Sequence, residues 1–222
     1  MDDLIHLCID TKIDQVACMV FPELNQQLID NYCQEINSVT EYYRNVLNEN
    51  TIYSSDEWTG ERFKQDFLMT SVLAVRQGRQ TEIWPNLKKT SGDLIVDCLM
   101  DMVESAKTTM SPDEIVSKGL VPKVIGVEAA TEILHKYFPG KFVTRNEKLE
   151  SGLAYFVFNG DKAKVAELNY ADYIKQMDLL SDRLDEYIKK HNIHLAESCR
   201  FYVLEKLLSR AEEVLSTETS FS

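Results

Sequence analysis

Two histidines stand close enough together in the sequence to bind one metal ion. His191 and His194 are three residues apart, and Glu197 and Cys199 follow shortly afterwards. Side chains of these types bind zinc when a fold brings four of them together. The histidine pair also suits a helix C-terminus, where an imidazolium ion is stabilised beside unpaired carbonyl groups. We favour the helix end, and we predict no bound metal and no other cofactor.

The residue patterns of nucleotide binding and covalent catalysis do not occur in the sequence. Most of the glycines are isolated, so the chain has neither a dinucleotide fingerprint nor a P-loop, and no serine lies in a Gly-x-Ser-x-Gly elbow. Paired acids such as Asp185-Glu186 are ordinarily solvated, whereas a general acid needs a buried carboxyl group. We therefore predict a non-enzymatic protein. A hydrolase that depends on carboxylates or on a metal is one alternative.

The negative charge is concentrated near the start of the chain. The 222 residues have a net charge of -12, and residues 1–60 contain 11 acidic and two basic side chains. Charge of one sign over one module steers association with a partner of opposite charge. A solvated acidic surface is the simplest interpretation of this charge. The functional interpretation that we adopt is a regulatory or protein-binding role in which Asp30, Glu35 and Glu41 contact a basic protein. The most specific version of this hypothesis is an acidic inhibitor or adaptor whose carboxylates imitate the phosphates of DNA and which acts on a nucleic-acid-associated protein.

The central part of the chain is slightly basic and favours a different function. The predicted order of two helices and a hairpin over residues 112–158 resembles a winged-helix arrangement. Four cations in or beside this segment could contact a phosphate backbone, and they are Lys136, Lys141, Arg145 and Lys148. Glu128 and Glu132 on the would-be recognition helix oppose such binding, as does the net charge. A winged-helix-like nucleic-acid-binding protein is thus an alternative to the protein-binding role and not the preferred prediction.

Apolar residues recur at helical spacing through the first half of the chain. They predict a helix that ends at Val20, a long amphipathic helix from about Pro22 to Asn48, and a helix from Phe63 to near Gly78. Ser91 is the expected N-cap of a further helix. These elements would form an acidic helical region over residues 1–105.

The middle of the sequence combines helix signals with strand signals. Ser111-Pro112-Asp113-Glu114 is a capping box that predicts a helix from Pro112 to about Lys118, and a second helix should run from Val127 to Phe138. Runs of strand-forming residues follow at 141–144, 153–158 and 163–168. Asn159-Gly160 separates the last two runs and is the strongest short hairpin signal. We predict a three-stranded antiparallel meander within a small unit at residues 106–168.

The last part of the chain has the most regular pattern. Apolar residues from Tyr173 to Tyr187 and from Phe201 to Leu215 alternate four and three residues apart, which predicts two antiparallel helices over residues 169–222. The same seams could pair two copies of the chain into a homo-oligomer. The predicted fold is thus α+β and predominantly helical, in three parts that can also pack as one compact domain.

Composition places the protein away from membranes and from oxidising compartments. No run reaches the ~18 apolar residues that cross a bilayer, and the first residues are acidic where a signal peptide needs basic ones. The five cysteines are odd in number and scattered, which is typical of reduced thiols. We predict a cytoplasmic protein that does not bind membranes.

Overall fold

The computed structural model describes residues 2–54, 59–77 and 83–218, and it is 77% helical. The α-helices are α1 Asp2–Val20, α2 Gln26–Val46, α3 Glu49–Ser54, α4 Gly60–Arg62, α5 Met69–Ser71, α6 Leu73–Gln77, α7 Ile83–Lys89, α8 Gly92–Ser105, α9 Pro112–Gly119, α10 Val127–Tyr137, α11 Glu147–Phe158, α12 Lys162–Ala166, α13 Tyr170–Lys190 and α14 Arg200–Glu218. A π-helix spans Phe63–Leu68 and a 3₁₀ helix spans Glu197–Cys199.

The chain folds into two compact units. Unit 1 consists of Met1–Asn37, Pro139–Phe142 and Asn146–Ser222, and unit 2 consists of Ser38–Phe138 and Val143–Arg145. None of the helices in the described ranges is long and apolar enough to cross a membrane. The predicted helix end near Gly78 lies outside those ranges.

Four helices form the centre of unit 1. Each of α1, α11, α13 and α14 contacts the other three. Their apolar stripes, represented by Ile13, Phe156, Leu184 and Leu204, are buried. Gly152 of α11 lies against Leu208 of α14 so closely that a Cβ atom added there would be 2.9 Å from the Leu208 Cβ. Glycine has only a hydrogen atom as its side chain, so it allows the two helices to approach this closely.

Unit 2 is built around a helix that changes its winding. Helix α4, the π-helix and α5 follow one another without a break, and the π-helix carries the fully buried Phe63 and Phe67. The ring of Tyr43 packs edge-on against Phe67 with the ring centroids 4.9 Å apart. At the start of this helix, Gly60 meets Gly92 of α8, where a Cβ on Gly92 would lie 2.1 Å from the Gly60 backbone. Two glycines thus allow the backbones to touch.

Basic side chains from elsewhere in the same unit cap several helix C-termini, where carbonyl groups lack partners. Lys12 donates to the carbonyl of Tyr155 at 2.7 Å near the end of α11. Arg44 donates to the carbonyl of Tyr137 at 3.1 Å at the end of α10. Lys64 does the same beyond α7, where it donates to the carbonyl of Thr90 at 2.9 Å. These cations stabilise the fold from positions far away in sequence.

Most of the predicted helices are confirmed, and capping side chains start several of them, although Ser91, the predicted N-cap of α8, stands at that position without a side-chain hydrogen bond. The Ser111 hydroxyl accepts from the amide of Glu114 while the Glu114 carboxylate accepts from the amide of Ser111, so the predicted capping box starts α9. Helix α2 starts at Gln26, later than the predicted Pro22, because the side-chain oxygen of Asn25 accepts from the amide of Leu28. The Asn169 side chain starts α13 in the same way, by accepting from the amide of Asp172.

The predicted antiparallel meander is wrong, because the described residues contain no strand. Residues 153–158 belong to α11, which the side chain of Asn146 starts by accepting from the amide of Leu149. Asn159 and Gly160 do have the positive φ angles, 52° and 87°, that the hairpin prediction required. Here they end a helix, since both amides donate to the carbonyl of Ala154.

The other two predicted strands are also absent. Residues 163–168 overlap α12, which begins where the Asp161 side chain accepts from the amides of Ala163 and Lys164. Residues 141–144 have no regular structure, and the next amide, that of Arg145, donates to the Thr131 hydroxyl at 2.9 Å. Without a hairpin there is no wing, so the resemblance to a winged-helix arrangement does not hold.

Candidate functional site

The predicted acidic contacts on α2 have different surroundings. Asp30 is exposed and accepts from the Gln26 side chain at 2.9 Å. Glu35 is exposed too, but its carboxylate pairs with the ammonium group of Lys206 at 3.3 Å within unit 1. Glu41 is exposed and belongs to unit 2. Only part of this predicted set therefore remains available to a partner.

Lys136, the first of the predicted cations, contributes to the interior of unit 2. Its ammonium group pairs with the buried carboxylate of Glu132 and donates to the hydroxyl of Tyr43 at 3.3 Å. The two Glu132 oxygens also accept from the amides of Leu73 and Ala74, each at 2.8 Å. Burial and the negative charge of Glu132 raise the pKa of Tyr43. This cluster is a structural network that starts α6.

The three remaining cations belong to different units. Lys141 and Lys148 belong to unit 1 and are exposed, and the Lys141 ammonium group lies 5.3 Å from the ring of Phe142. Arg145 belongs to unit 2 and is half-buried. The phosphate-binding cluster that the sequence indicated is therefore divided between the two units.

The histidine pair lies at a helix end. His191 is the C-cap of α13, and its ring packs against that of Tyr187 with the centroids 4.8 Å apart. The backbone amide of His194 donates to the Gln26 side chain at 2.9 Å. Within the described ranges, no three side chains of the metal-binding types come together in a way that could hold an ion.

A shallow pocket of about 260 Å³ opens in unit 2, with Asn48, Glu49, Glu104, Lys107 and Tyr137 among the residues that line it. Its cation is already neutralised, because the Lys107 ammonium group lies 2.5 Å from the Glu104 carboxylate. Both side chains of this pair are nearly half exposed, at 46% and 42%. The pair behaves as an ordinary surface ion pair.

A more organised charged surface lies on α13 in unit 1. Asp178, Asp182 and Glu186 succeed one another at intervals of four residues, which places them along one side of the helix, and Glu197 of the 3₁₀ helix lies beside them. We call these four carboxylates the acidic stripe. Their side chains are 47%, 67%, 59% and 78% exposed, in the order given.

Two arginines form ion pairs with the carboxylates of the acidic stripe. Arg200, whose side chain is only 16% exposed, pairs with Asp178, with Asp182 at 3.5 Å and with Glu197 at 2.9 Å. Arg183 is 19% exposed and pairs with Glu186 at 2.9 Å. The positive charges are therefore less exposed than the negative ones. Four carboxylates against two guanidinium groups leave a net charge of about -2 among these six groups, and Lys189 lies near Asp182 and Glu186.

The pKa of the Asp178 carboxyl group is raised, and partial burial is the largest cause. Partial burial raises the pKa of its carboxyl group, Arg200 lowers it, and the negative charges of Asp182 and Glu197 raise it again, so the net shift is upward. Partial burial and two neighbouring carboxylates together outweigh the one arginine. An additional cation at the acidic stripe would relieve this repulsion.

Similarity to known proteins gives no further guide to this surface. No protein-family model matches the chain, and no curated protein and no solved structure is significantly similar to it.

The sequence contained part of the signal for the acidic stripe. The four-residue spacing of Asp178, Asp182 and Glu186 is apparent once α13 is known to be helical. What could not be read from the sequence is that Arg200, 22 residues after Asp178, packs beneath three of the carboxylates. That contact depends on how α13 and α14 pack together.

Proposed function

We propose that this chain is a non-enzymatic, regulatory protein-binding protein, and that the acidic stripe of unit 1 binds a basic protein partner. The main support is the arrangement at Arg200, where one largely buried guanidinium group fixes three more exposed carboxylates. Carboxylates held in this way lose little side-chain entropy when a partner binds. The same support does not exist for a catalytic role.

The distribution of charge between the units supports a basic partner. Unit 1 contains 21 acidic and 12 basic side chains, a net charge of -9 out of the total of -12. A field of this sign accelerates the encounter with a cationic surface and repels polyanions. Nucleic acid itself is therefore a poor partner, whereas a nucleic-acid-associated protein with a basic surface is a good one.

A cytoplasmic location is part of the proposal. All five cysteines are free, which is the state expected in a reducing compartment. A partner bound mainly by exposed charges would be released when salt screens them, and this property suits a reversible regulatory contact.

The test compares two variants that have the same net charge. D182N/E186Q/E197Q removes the exposed part of the acidic stripe, and D14N/E23Q/E167Q removes three exposed carboxylates elsewhere in unit 1. Binding of a synthetic peptide rich in Lys and Arg is measured by calorimetry at about 50 and 200 mM NaCl. We expect the stripe variant to weaken binding about tenfold, equal to about 1.4 kcal/mol, and the control variant to weaken it much less.

Equal losses in the two variants would show that only net charge matters, and the proposal would then be wrong. Unchanged binding in the stripe variant would contradict it as well. Circular dichroism of both variants checks that the helices remain intact. Affinity purification from cells with the wild-type chain and the stripe variant then identifies the natural basic partner as a protein retained only by the wild type.

A further inference from the structure

Over residues 7–19, helix α1 has an exposed face that carries a single charge. Its exposed residues are Leu7, Cys8, Thr11, Asp14, Gln15, Cys18 and Met19, and we call them the α1 face. Only Asp14 among them is charged. The two apolar residues at its ends, Leu7 and Met19, are 63% and 45% exposed.

Helix α13 shows how the surface of another long helix in unit 1 is composed. Its exposed residues are Lys175, Asp182, Glu186, Lys189 and Lys190, and all of them are charged. The α1 face therefore differs from a solvated helix surface of this protein. Exposed apolar and uncharged residues that lie together favour a contact with another protein surface.

The apolar seams that the sequence offered for pairing two copies are used inside the fold. Tyr173 and Leu184 of α13 and Phe201 and Leu204 of α14 are buried in the core of unit 1. A second copy would therefore have to meet the chain at a different surface, and the α1 face is exposed.

The residues of the α1 face are arranged symmetrically about position 13. The equidistant pairs are Leu7 with Met19, Cys8 with Cys18, and Thr11 with Gln15. The members of each pair have the same character, which is apolar for the first, a thiol for the second, and polar without charge for the third. Ile13 itself is buried, so the symmetric positions lie on the side of the helix that faces away from the core. A surface with this pattern is complementary to itself under a twofold rotation.

We propose that the α1 face is the contact between two copies of this chain, which pair their α1 helices antiparallel around a twofold axis at the level of Ile13. Leu7 then lies level with Met19 of the second copy, and Thr11 lies level with Gln15 of the second copy. This dimer does not rest on the proposed binding function, because the acidic stripe belongs to α13 and to the 3₁₀ helix.

The charges beside Ile13 agree with the antiparallel arrangement. Lys12 and Asp14 lie one residue to either side of it, so Asp14 comes level with Lys12 of the second copy at both edges of the contact. In a parallel pair, Asp14 would instead come level with Asp14 of the second copy, and these like charges would repel each other. Charge complementarity therefore favours the antiparallel dimer.

Two polar members of the α1 face already have hydrogen-bond partners within the helix. The hydroxyl of Thr11 donates to the carbonyl of Leu7 at 2.9 Å, and the thiol of Cys18 donates to the carbonyl of Gln15 at 2.9 Å. Covering a polar group is costly mainly when the group loses its hydrogen bonds. A second copy can therefore cover these two side chains without leaving their donors unpaired.

The size of the α1 face indicates a reversible dimer. Residues 7–19 extend over about 18 Å of helix, and two such faces bury less than the about 1,200 Å² of a standard stable interface. We expect a Kd of about 10–100 μM. Because each copy has a net charge of -12 and the contact is nearly uncharged, added salt should strengthen the dimer. Salt should have the opposite effect on a basic partner bound to the acidic stripe.

The test is sedimentation velocity of the full-length chain with a thiol reductant, at about 5–300 μM protein. T11E/Q15E places like charges level with each other, and we expect it to weaken dimerisation at least about tenfold. Q27E/N37E is the matched control, because it adds the same charge at two exposed positions of unit 1 and should dimerise nearly as the wild type does. T11K/Q15E places opposite charges level with each other and should dimerise far better than T11E/Q15E. Circular dichroism checks that all variants keep their helices.

Oxidation by copper phenanthroline and dioxygen reports which residues meet. Cys8 and Cys18 lie about 15 Å apart along one helix, which is too far for a disulfide within one copy. Trypsin cleaves after Lys12 and separates the two thiols, so mass spectrometry can identify the joined peptides. We expect covalent dimers in which Cys8 is joined to Cys18, and we expect C8S and C18S each to lose this product.

Three results would overturn the proposal. The first is a wild-type chain that stays monomeric at every concentration. The second is equal dimerisation of T11E/Q15E and Q27E/N37E, or of T11E/Q15E and T11K/Q15E. The third is cross-linking that joins mainly Cys8 to Cys8 or Cys18 to Cys18, because those products require a different arrangement of the two helices.

Discussion

The ammonium group of Lys64 donates a hydrogen bond to the carbonyl oxygen of Thr90 at 2.9 Å from a side chain that is only 3% exposed. It also pairs with the carboxylate of Glu61 at 2.8 Å, and that carboxylate accepts from the amide of Gly92. A buried cation thus links α4 and the π-helix to the end of α7 and, through Glu61, to the start of α8 in unit 2. Much of the stability of this unit should depend on it.

Replacing Lys64 should show how strong this link is. K64M keeps the volume of the side chain but removes the donor to the carbonyl groups of Lys88 and Thr90, so we expect the free energy of unfolding to fall by about 2 kcal/mol. K107M is the matched control, because Lys107 forms an exposed ion pair and its loss should cost less than about 1 kcal/mol. Urea denaturation followed by circular dichroism measures both. Equal effects would contradict the structural role of Lys64.

The contact between Gly60 and Gly92 should not tolerate a side chain. A Cβ on Gly92 would lie 2.1 Å from the backbone of Gly60, so one helix must move, and we expect G92A to lower the free energy of unfolding by about 3 kcal/mol. G126A is the control, because a Cβ at Gly126 meets no atom within 4 Å. It should change stability by no more than about 1 kcal/mol. Thermal melts that rank the two variants in the other order would refute the contact.

Glu132 should be the most sensitive member of its network. Its carboxylate is 6% exposed and serves Lys136 as well as two amides, so E132A leaves one cation and two donors uncompensated. We expect E132A to lower the free energy of unfolding by about 3 kcal/mol. E132Q retains one acceptor oxygen, so its free energy of unfolding should fall by about half as much. Chemical denaturation of the three proteins gives the order, and a stable E132A would show that the network contributes little.

Asn159 should be replaceable by glycine but not by a β-branched residue. Its φ of 52° lies in the left-handed region, which glycine adopts freely and valine does not. N159G removes an exposed hydrogen bond from Lys12 to the Asn159 side chain and should lower the free energy of unfolding by less than about 1 kcal/mol, whereas N159V should lower it by about 1–2 kcal/mol more. Hydrogen exchange at the amide of Gly160, which donates to the carbonyl of Ala154, would report loosening of the end of α11. Equal exchange in both variants would exclude this helix cap.

Asp178 should make stability depend on pH in a direction opposite to that of most carboxylates. Because its pKa is raised in the folded protein, the folded state binds this proton more tightly than the unfolded state does. The stabilisation is complete below the unfolded pKa of about 3.9 and is lost as the pH rises through the folded value. The stability of the wild type relative to D178N should therefore decrease from about pH 4 upward. Urea titrations at several pH values measure this difference, and an increase would contradict it.

Structural features could be predicted from the sequence where residues close together in the chain determine them. The capping box at Ser111 and Glu114 fixes its helix by contacts three residues apart, and it was correctly predicted. Asn159-Gly160 was equally local, but positive φ values serve both a hairpin and a helix end. The apolar run before it fits either structure, and its length alone did not distinguish them.

The candidate site was less predictable because its decisive contacts are long-range. Lys136 looks like a surface cation in the sequence, yet its partners include Tyr43, 93 residues away. Glu35 looks equally free, yet it pairs with Lys206. The sequence around Arg200 does not indicate that its guanidinium group pairs with three carboxylates. In each case, helix packing determines whether a charge is exposed to a partner or used within the fold.

The π-helix at Phe63–Leu68 has a consequence for the length of the chain. A π turn contains one residue more than the α-helix around it, and the turn absorbs that residue so that both flanks stay in phase. Gln65 is exposed, so its deletion would remove no core side chain. Phe63 and Phe67 would then be three residues apart and would still face the same side. A homologue one residue shorter at this turn would therefore have the same core.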